Sequence, residues 1–171
     1  MPFFKIDYSK QKTKYYTLIA MLASCAAALQ IIEAPLPRIL PWLKPGLANA
    51  LTLYAIIKLS PIAALIVAIF RTIIASFFLG TFLSPIYLIS TAGAISATVT
   101  MIVLSLIPSA GLALISISGA IASNFAQLMA VQILFASNMS FWFHIAIMIW
   151  VAIPSGFIVA KITQELLRRT T

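Results

Sequence analysis

The hydrophobic positions of the chain fall into six long runs, which are separated by proline, glycine and polar residues. The runs cover residues 15–32, 47–59, 62–79, 85–107, 111–136 and 141–159. A helix rises about 1.5 Å per residue, so about 20 residues cross a bilayer, and five of the six runs suffice. Run 47–59 is too short to cross unaided. We expect it to begin inside the protein, beneath the proline-rich segment 33–46, which cannot form a regular helix.

The composition supports a membrane protein. Hydrophobic residues make up 63% of the 171 residues and charged residues only 8%, against about 45–50% and about 25% in soluble domains. A chain of this length cannot bury so much apolar surface in one aqueous core. The net charge of +8 would suit a nucleic-acid partner, but the hydropathy overrides it. The sequence therefore predicts an all-α integral membrane protein, a single domain with six transmembrane helices, and no nucleic-acid partner.

The basic residues indicate on which side of the membrane each end of the chain lies. The tail before the bundle, residues 1–14, holds four Lys, and the tail after it, residues 160–171, holds three more Lys or Arg. Cytoplasmic segments are enriched in Lys and Arg, and six spans place both tails on one side. We expect a multi-pass protein of the cytoplasmic (inner) membrane with both termini cytoplasmic. In this topology Arg38 and Lys44 lie on the outer side of the membrane, either by chance or because they have a local role in the first loop.

Arg71 is a charge near the middle of a hydrophobic run. A central Arg costs about 2.5–3.5 kcal/mol on insertion scales, and its helical neighbours Ala64, Ala68 and Ala75 form a small face that packs against other helices. We expect Arg71 to point into the bundle, where its guanidinium can hold an anionic group of a substrate. The alternative is a structural pair with a carboxylate or with backbone carbonyls. Glu33 is the acid in the apolar region that is available for such a pair. Alternatively, Glu33 caps the first loop.

Other polar residues fall at the same depth as Arg71 or closer to the outside. The fifth run carries a stripe at i, i+3 and i+4 spacing, made of Ser116, Ala120, Ser123, Asn124 and Gln127. We expect these groups to converge on one cavity open to the outside, since clefts between helices are the usual ligand sites. The predicted substrate-binding residues are Glu33, Lys44, Asn49, Arg71, Asn124 and Gln127. Interhelical hydrogen bonds are the alternative for the stripe, and His144 suits a neutral interfacial histidine better than a ligand.

The first run carries small residues one helical turn apart. The pairs are Ala20 with Ser24 and Ala23 with Ala27. Such faces allow another helix to approach closely, whether from the same chain or from another protein. Cys25 lies among them, and we expect it to be a small buried apolar residue.

Motifs of several enzyme classes are absent from the sequence. It contains no Gly-Lys-Ser/Thr phosphate loop for ATP hydrolysis and no cluster of His, Cys and carboxylates for a metal. It also lacks a pair of aspartate-rich motifs for Mg²⁺ and a diphosphate, since Asp7 is the only aspartate. We therefore expect a protein that is not an enzyme and that holds neither a cofactor nor a metal.

Several segments resemble the Gx transporter family, which is often labelled heptaprenyl diphosphate synthase component I. They are Glu33 with Pro35 and Pro37, the segment KPGLANALTL at 44–53, Arg71, GTFLSP at 80–85 and SGAIASNFAQ at 118–127. The resemblance runs from about Leu18 to Leu167. It departs at Ser123 and Ala126, where the family often has His and Gly.

This family is similar to the substrate-binding (S) components of energy-coupling factor (ECF) transporters. The similarity implies a six-helix S-component-like bundle whose proline-rich first loop is a lid, with Arg38 and Trp42, over an outward-facing pocket. It also implies that a small-residue motif in the first helix docks onto a transmembrane coupling subunit while separate ATPases drive transport. The residues predicted for this docking are Ala20, Ala23, Ser24 and Ala27.

Three functions remain open from the sequence. The first is the substrate-binding membrane subunit of a small-molecule transporter, which accounts for the polar cavity and for the missing ATPase motif. The second is a non-catalytic membrane accessory of polyprenyl diphosphate or quinone synthesis, and the third is a scaffold subunit of a membrane complex. Arg38, Lys44 and Arg71 together point to an anion or a phosphate as the substrate.

Overall fold

A computed structural model describes residues 12–35, 46–135 and 141–170, apart from the side chains of residues 141–143. These residues form six α-helices: α1 (Lys12–Glu33), α2 (Asn49–Lys58), α3 (Pro61–Phe78), α4 (Pro85–Ser105), α5 (Leu112–Phe135) and α6 (Phe141–Arg169). All except α2 are long and apolar enough to cross a membrane. The prediction of an all-α membrane protein with six helices, one of them short, is confirmed.

The breakers in the sequence set the ends of the central helices. Ser60 is the N-cap of α3, since its Oγ accepts a hydrogen bond from the backbone N–H of Ala63 at 3.1 Å. Pro61 follows at the first helical position, where its missing N–H costs nothing. Gly80 just beyond α3 has φ +65°, a left-handed conformation that glycine adopts without strain. The chain can therefore turn sharply between α3 and α4.

We expect Ser60→Ala to lower the free energy of unfolding by about 1 kcal/mol. The variant removes the N-cap of α3 and the 2.8 Å hydrogen bond between Tyr15 Oη and Ser60 Oγ. Thermal unfolding in detergent, followed by circular dichroism, measures the change. Ser105→Ala is the matched control, because Ser105 Oγ donates within its own helix, to the carbonyl of Ile102 at 2.7 Å. An equal loss in both variants contradicts the cap.

The shortest helix, α2, lies at the centre of the bundle. It contacts each of the other five described helices, and seven of its ten residues are buried. Ten residues rise about 15 Å, about half of the hydrocarbon core, so the longer helices shield the ends of α2 from lipid. The predicted internal start of run 47–59 is confirmed, since Ala48 and Asn49 are buried.

Small residues bring the remaining helices close together. α4 packs on α5, and α5 packs on α6. A Cβ on Gly119 of α5 would lie 2.6 Å from Met101 Cγ of α4, and one on Gly156 of α6 would lie 2.6 Å from Ile117 Cα of α5. Large apolar side chains such as Trp150 are exposed on the outside of the helices, as expected for surface that faces lipid.

One helix is longer than its hydrophobic run, and one prediction about a helix face is wrong. α6 continues to Arg169, so the polar tail that begins at residue 160 is helical. No proline or glycine interrupts residues 160–169, and Glu165 pairs with Arg169 one turn later at 2.8 Å. Cys25 is exposed rather than buried, because α1 buries its opposite face, which carries Ala23 and Ala27.

Candidate functional site

A polar cavity lies inside the bundle, and all six described helices contribute to it. Five of the predicted substrate-binding residues line it: Glu33, Asn49, Arg71, Asn124 and Gln127. Its volume is about 40 Å³, and because one water needs about 10–15 Å³, it holds about three waters. The remaining predicted residues, Lys44 of the substrate site and Arg38 and Trp42 of the lid, lie outside the described residues.

Arg71 is buried in this cavity with part of its guanidinium unused. It is 4% exposed, and its Nη2 donates a hydrogen bond to Asn49 Oδ1 of α2 at 2.5 Å. The flanking Ala64, Ala68 and Ala75 are fully buried, so the predicted inward orientation of Arg71 is confirmed. Its Nε has no hydrogen-bond partner among the described residues. A buried unsatisfied donor costs about 1–3 kcal/mol, and more on a charged group, so an acceptor that reaches this N–H would stabilise the buried arginine.

Glu33 ties the end of α1 to the start of α2. Its side chain is 2% exposed, and its Oε1 accepts a hydrogen bond from the backbone N–H of Leu47 at 2.5 Å. This position beside the N-terminus of α2 favours a carboxylate through the helix dipole. Glu33 also lies close enough to Arg71 for electrostatic attraction. The capping role left open by the sequence is thus present, and Glu33 balances the charge of Arg71 as well.

The stripe on α5 serves both interpretations that the sequence left open. Asn124 Nδ2 donates to the carbonyl of Met148 on α6 at 3.1 Å, which is the interhelical bond expected of a structural residue. Gln127 Nε2 donates to Ser123 Oγ at 3.0 Å within α5, and both residues line the cavity. Ser116 also lines the cavity, and its buried Oγ has no hydrogen-bond partner among the described residues. The stripe therefore contributes both to the packing of α5 on α6 and to the wall of the cavity.

Several residues that line the cavity were not assigned from the sequence, among them two polar residues that contact each other. Gln30 of α1 and Ser90 of α4 line it, and Gln30 Nε2 donates a hydrogen bond to Ser90 Oγ at 3.2 Å. Gln30 lies one turn before Glu33 on the same face of α1, and this spacing could have indicated it. No local signal indicated Ser90, which is 60 residues away along the chain.

The residues predicted for partner docking divide between two surfaces of α1. Ala23 and Ala27 are 4% and 1% exposed on the face of α1 that packs inside the bundle, where α3 is its main neighbour. Ala23 and Ala27 therefore pack against a helix of the same chain, which is one of the two alternatives that the sequence left open. Ala20 and Ser24 are exposed, so they are available to another protein.

Metal ligation has no support in the part of the chain that is described. No group of three His, Cys, Asp or Glu side chains comes together within residues 12–35, 46–135 and 141–170. His144 is half-buried near the start of α6. The polar groups of the cavity are therefore amides, hydroxyls, one guanidinium and one carboxylate.

Comparisons with known proteins agree with the fold. The family described as heptaprenyl diphosphate synthase component I matches residues 22–166. A solved structure described as "Structure and mechanism of the S component of a bacterial ECF transporter" is similar with a TM-score of 0.63 and 21% identity. The alignment covers 94% of this chain and 96% of that chain. The likeness shows a shared fold, and no match was found among curated proteins.

Proposed function

The chain belongs to the heptaprenyl diphosphate synthase component I family. We propose that it is the substrate-binding membrane subunit of a small-molecule transporter. The observation that carries the proposal is the buried Arg71, which lines a cavity of amides and hydroxyls and whose Nε has no hydrogen-bond partner among the described residues. A purely structural arginine at this depth is expected to have all its donors paired. The S-component fold supports the same function.

The chemistry of the cavity favours a substrate with a small anionic group. Glu33 is held by the N–H of Leu47 beside the start of α2, so it keeps a stabilising partner when an anion approaches Arg71. The guanidinium then offers a donor in a water-poor environment, where charge-assisted hydrogen bonds are strong. Amide groups such as those of Asn49 and Gln127 orient the rest of the group. The protein binds and releases its ligand without catalysing a reaction.

The proposed partners are a transmembrane coupling subunit and ATPases. The sequence carries no Gly-Lys-Ser/Thr phosphate loop for ATP hydrolysis, and separate ATPases would supply that activity. Ala20 and Ser24 form an exposed pair of small residues on α1, which allows close approach of a partner helix. We assign the docking surface to this pair, since Ala23 and Ala27 are buried.

Affinity purification of the tagged chain from its own cells tests these partners. We expect mass spectrometry to identify a membrane coupling subunit and ATPases with the wild type. These partners are expected to be missing with Ala20→Trp, because the tryptophan side chain prevents a partner helix from approaching α1 closely. Ile133→Trp is the matched control, because Ile133 is 78% exposed on α5, away from the docking pair. Recovery of a soluble prenyl diphosphate synthase instead supports the second candidate, an accessory role in polyprenyl synthesis, which the family description favours.

We predict that both termini are cytoplasmic, because seven Lys or Arg lie in residues 1–14 and 160–171. In a Cys25→Ser background, Thr170→Cys is expected to resist a membrane-impermeant thiol reagent in intact cells. Leu83→Cys is the matched control. Leu83 is 72% exposed in the turn between α3 and α4, which the predicted topology puts on the opposite side of the membrane, and it is expected to react. Labelling of Thr170→Cys from outside contradicts the topology.

A further inference from the structure

A second cavity, larger than the polar one, lies between α1, α3 and α4. Its volume is about 220 Å³, and we call it the groove. Its walls carry hydroxyls and apolar groups, among them Thr72, Ser76, Leu79, Thr81, Ile86 and Tyr87. The groove has no role in the site described so far.

The groove and the polar cavity share one wall. Gln30 and Ser90 line both of them, and the 3.2 Å hydrogen bond from Gln30 Nε2 to Ser90 Oγ joins α1 to α4 in this shared wall. We call this pair the threshold. Gln30 is 7% exposed, and a rotamer change of its long side chain would break this hydrogen bond without moving a helix.

The sizes of the two cavities limit what each can hold. Ligand pockets usually measure about 300–1,000 Å³, whereas the polar cavity has room for about three waters in its 40 Å³. The group that reaches Arg71 is therefore small, about the size of a carboxylate or a phosphate. The rest of a larger molecule needs a neighbouring space, and the groove begins directly across the threshold.

The groove is suited to an uncharged body rather than to a second charge. None of the described residues that line it is charged. Thr72 and Ser76 donate their hydroxyl protons to carbonyls of their own helix, those of Ile69 and Ile73, at 2.8 and 2.7 Å. Each hydroxyl oxygen keeps lone pairs that can accept a hydrogen bond from a ligand.

An aromatic group borders the groove on the side of α4. Tyr87, which lines the groove, packs on Phe82, with ring centroids 5.3 Å apart, and Phe82 stacks on Phe77 at 4.2 Å. The neighbouring rings hold the Tyr87 ring in place, and aromatic faces favour planar or apolar ligand groups. The groove therefore combines hydroxyl acceptors with a fixed aromatic wall.

We propose that the groove is a second subsite for the same substrate. The substrate is an elongated amphiphilic anion. Its small anionic head lies beside Arg71, and its uncharged, partly apolar body carries hydrogen-bond donors and lies in the groove, with the molecule crossing between Gln30 and Ser90. This inference rests on the proposed function, since it assigns a substrate class to the same cavity.

Two carboxylates that differ in the body test the proposal. The full chain in lipid nanodiscs is titrated with acetate and with 4-hydroxyphenylacetate, and the dissociation constants are measured by ligand-observed NMR. We expect 4-hydroxyphenylacetate to bind at least about tenfold more tightly, because its ring and hydroxyl occupy the groove. Thr81→Trp fills the groove and is expected to remove this gain while acetate binding persists.

Leu88→Trp is the matched control on the outside of α4, where Leu88 is 46% exposed, and it is expected to keep the gain. The bonds of Thr81 to Ser76 and Ser84 include its backbone N–H and C=O, so its side chain can change without breaking them. If Thr81→Trp does not fold, Ile86→Trp replaces it, since Ile86 lines the groove and is 55% exposed.

The outcomes separate the groove from the proposed function. Equal affinity for both carboxylates, or a gain that survives Thr81→Trp, overturns the second subsite. In either case, if the wild type binds acetate and Arg71→Lys does not, the anion site at Arg71 is supported and the proposed function stands without the groove. Binding of neither carboxylate to the wild type overturns both the groove and the anion site at Arg71.

Discussion

Arg71→Met is expected to lower the free energy of unfolding by about 3–5 kcal/mol, since removal of one partner from a buried charge pair leaves the other charge uncompensated. The variant deprives Asn49 Oδ1 of its donor and deprives the buried Glu33 of the cation that attracts it. Methionine fills much of the volume of the arginine stem, so the loss reflects charge and hydrogen bonding more than an empty space. Denaturant unfolding in detergent micelles measures it.

A double-mutant cycle shows whether the loss comes from the pair. Glu33→Gln removes the carboxylate charge and keeps a group of similar size, so the double variant with Arg71→Met is expected to recover part of the stability. Interaction energies between neighbouring groups amount to about 0.5–3 kcal/mol. If the losses of the two single variants simply add, Arg71 and Glu33 do not act as a pair, and the description of the cavity's electrostatics is wrong.

Gly156→Ala is expected to destabilise the protein by about 1–3 kcal/mol or more. The added methyl would lie 2.6 Å from Cα and 2.9 Å from N of Ile117, and these backbone atoms cannot turn away as a flexible side chain can. α6 is therefore forced away from α5, and the 3.1 Å bond from Asn124 Nδ2 to the carbonyl of Met148 is strained. Thermal unfolding in detergent reports the loss.

Gly111→Ala is the matched control for Gly156→Ala. A Cβ on Gly111 meets no atom within 4 Å, so the change is expected to stay within about 0.5 kcal/mol of the wild type. If the two variants are equally stable, the close approach of α5 and α6 at Gly156 is not present in the protein.

The sequence predicts the helices well because their signals are local. Pro61 and Pro85 mark helix starts, since proline suits the first helical position. Hydrophobic runs of membrane-spanning length leave little choice of structure in a bilayer. The burial of Arg71 follows from the alanines one and two turns away and from the cost of placing its charge in lipid. Each of these inferences can be made from the sequence of one helix alone.

The sequence does not predict which residues meet across helices. Gln30 and Ser90 are 60 residues apart, and their contact depends on how α1 and α4 sit around α2. The exposure of Cys25 depends on which of two small faces α1 turns inward, and alanines occur on both. The groove is formed by three helices together, so its volume and its chemistry become visible only after packing.

Native mass spectrometry of the detergent-purified full chain tests most directly whether the cavity around Arg71 binds a small-molecule substrate. The wild type is expected to carry the added mass of a small molecule, and its occupancy is expected to fall about tenfold in Arg71→Lys, which keeps the charge but loses the planar donor fork. Lys161→Gln, which removes an exposed cation of α6 that lies over the Phe157 ring, is expected to keep the wild-type occupancy. A wild type without any added mass, or equal occupancy in Arg71→Lys, would mean that the cavity around Arg71 does not bind a small-molecule substrate.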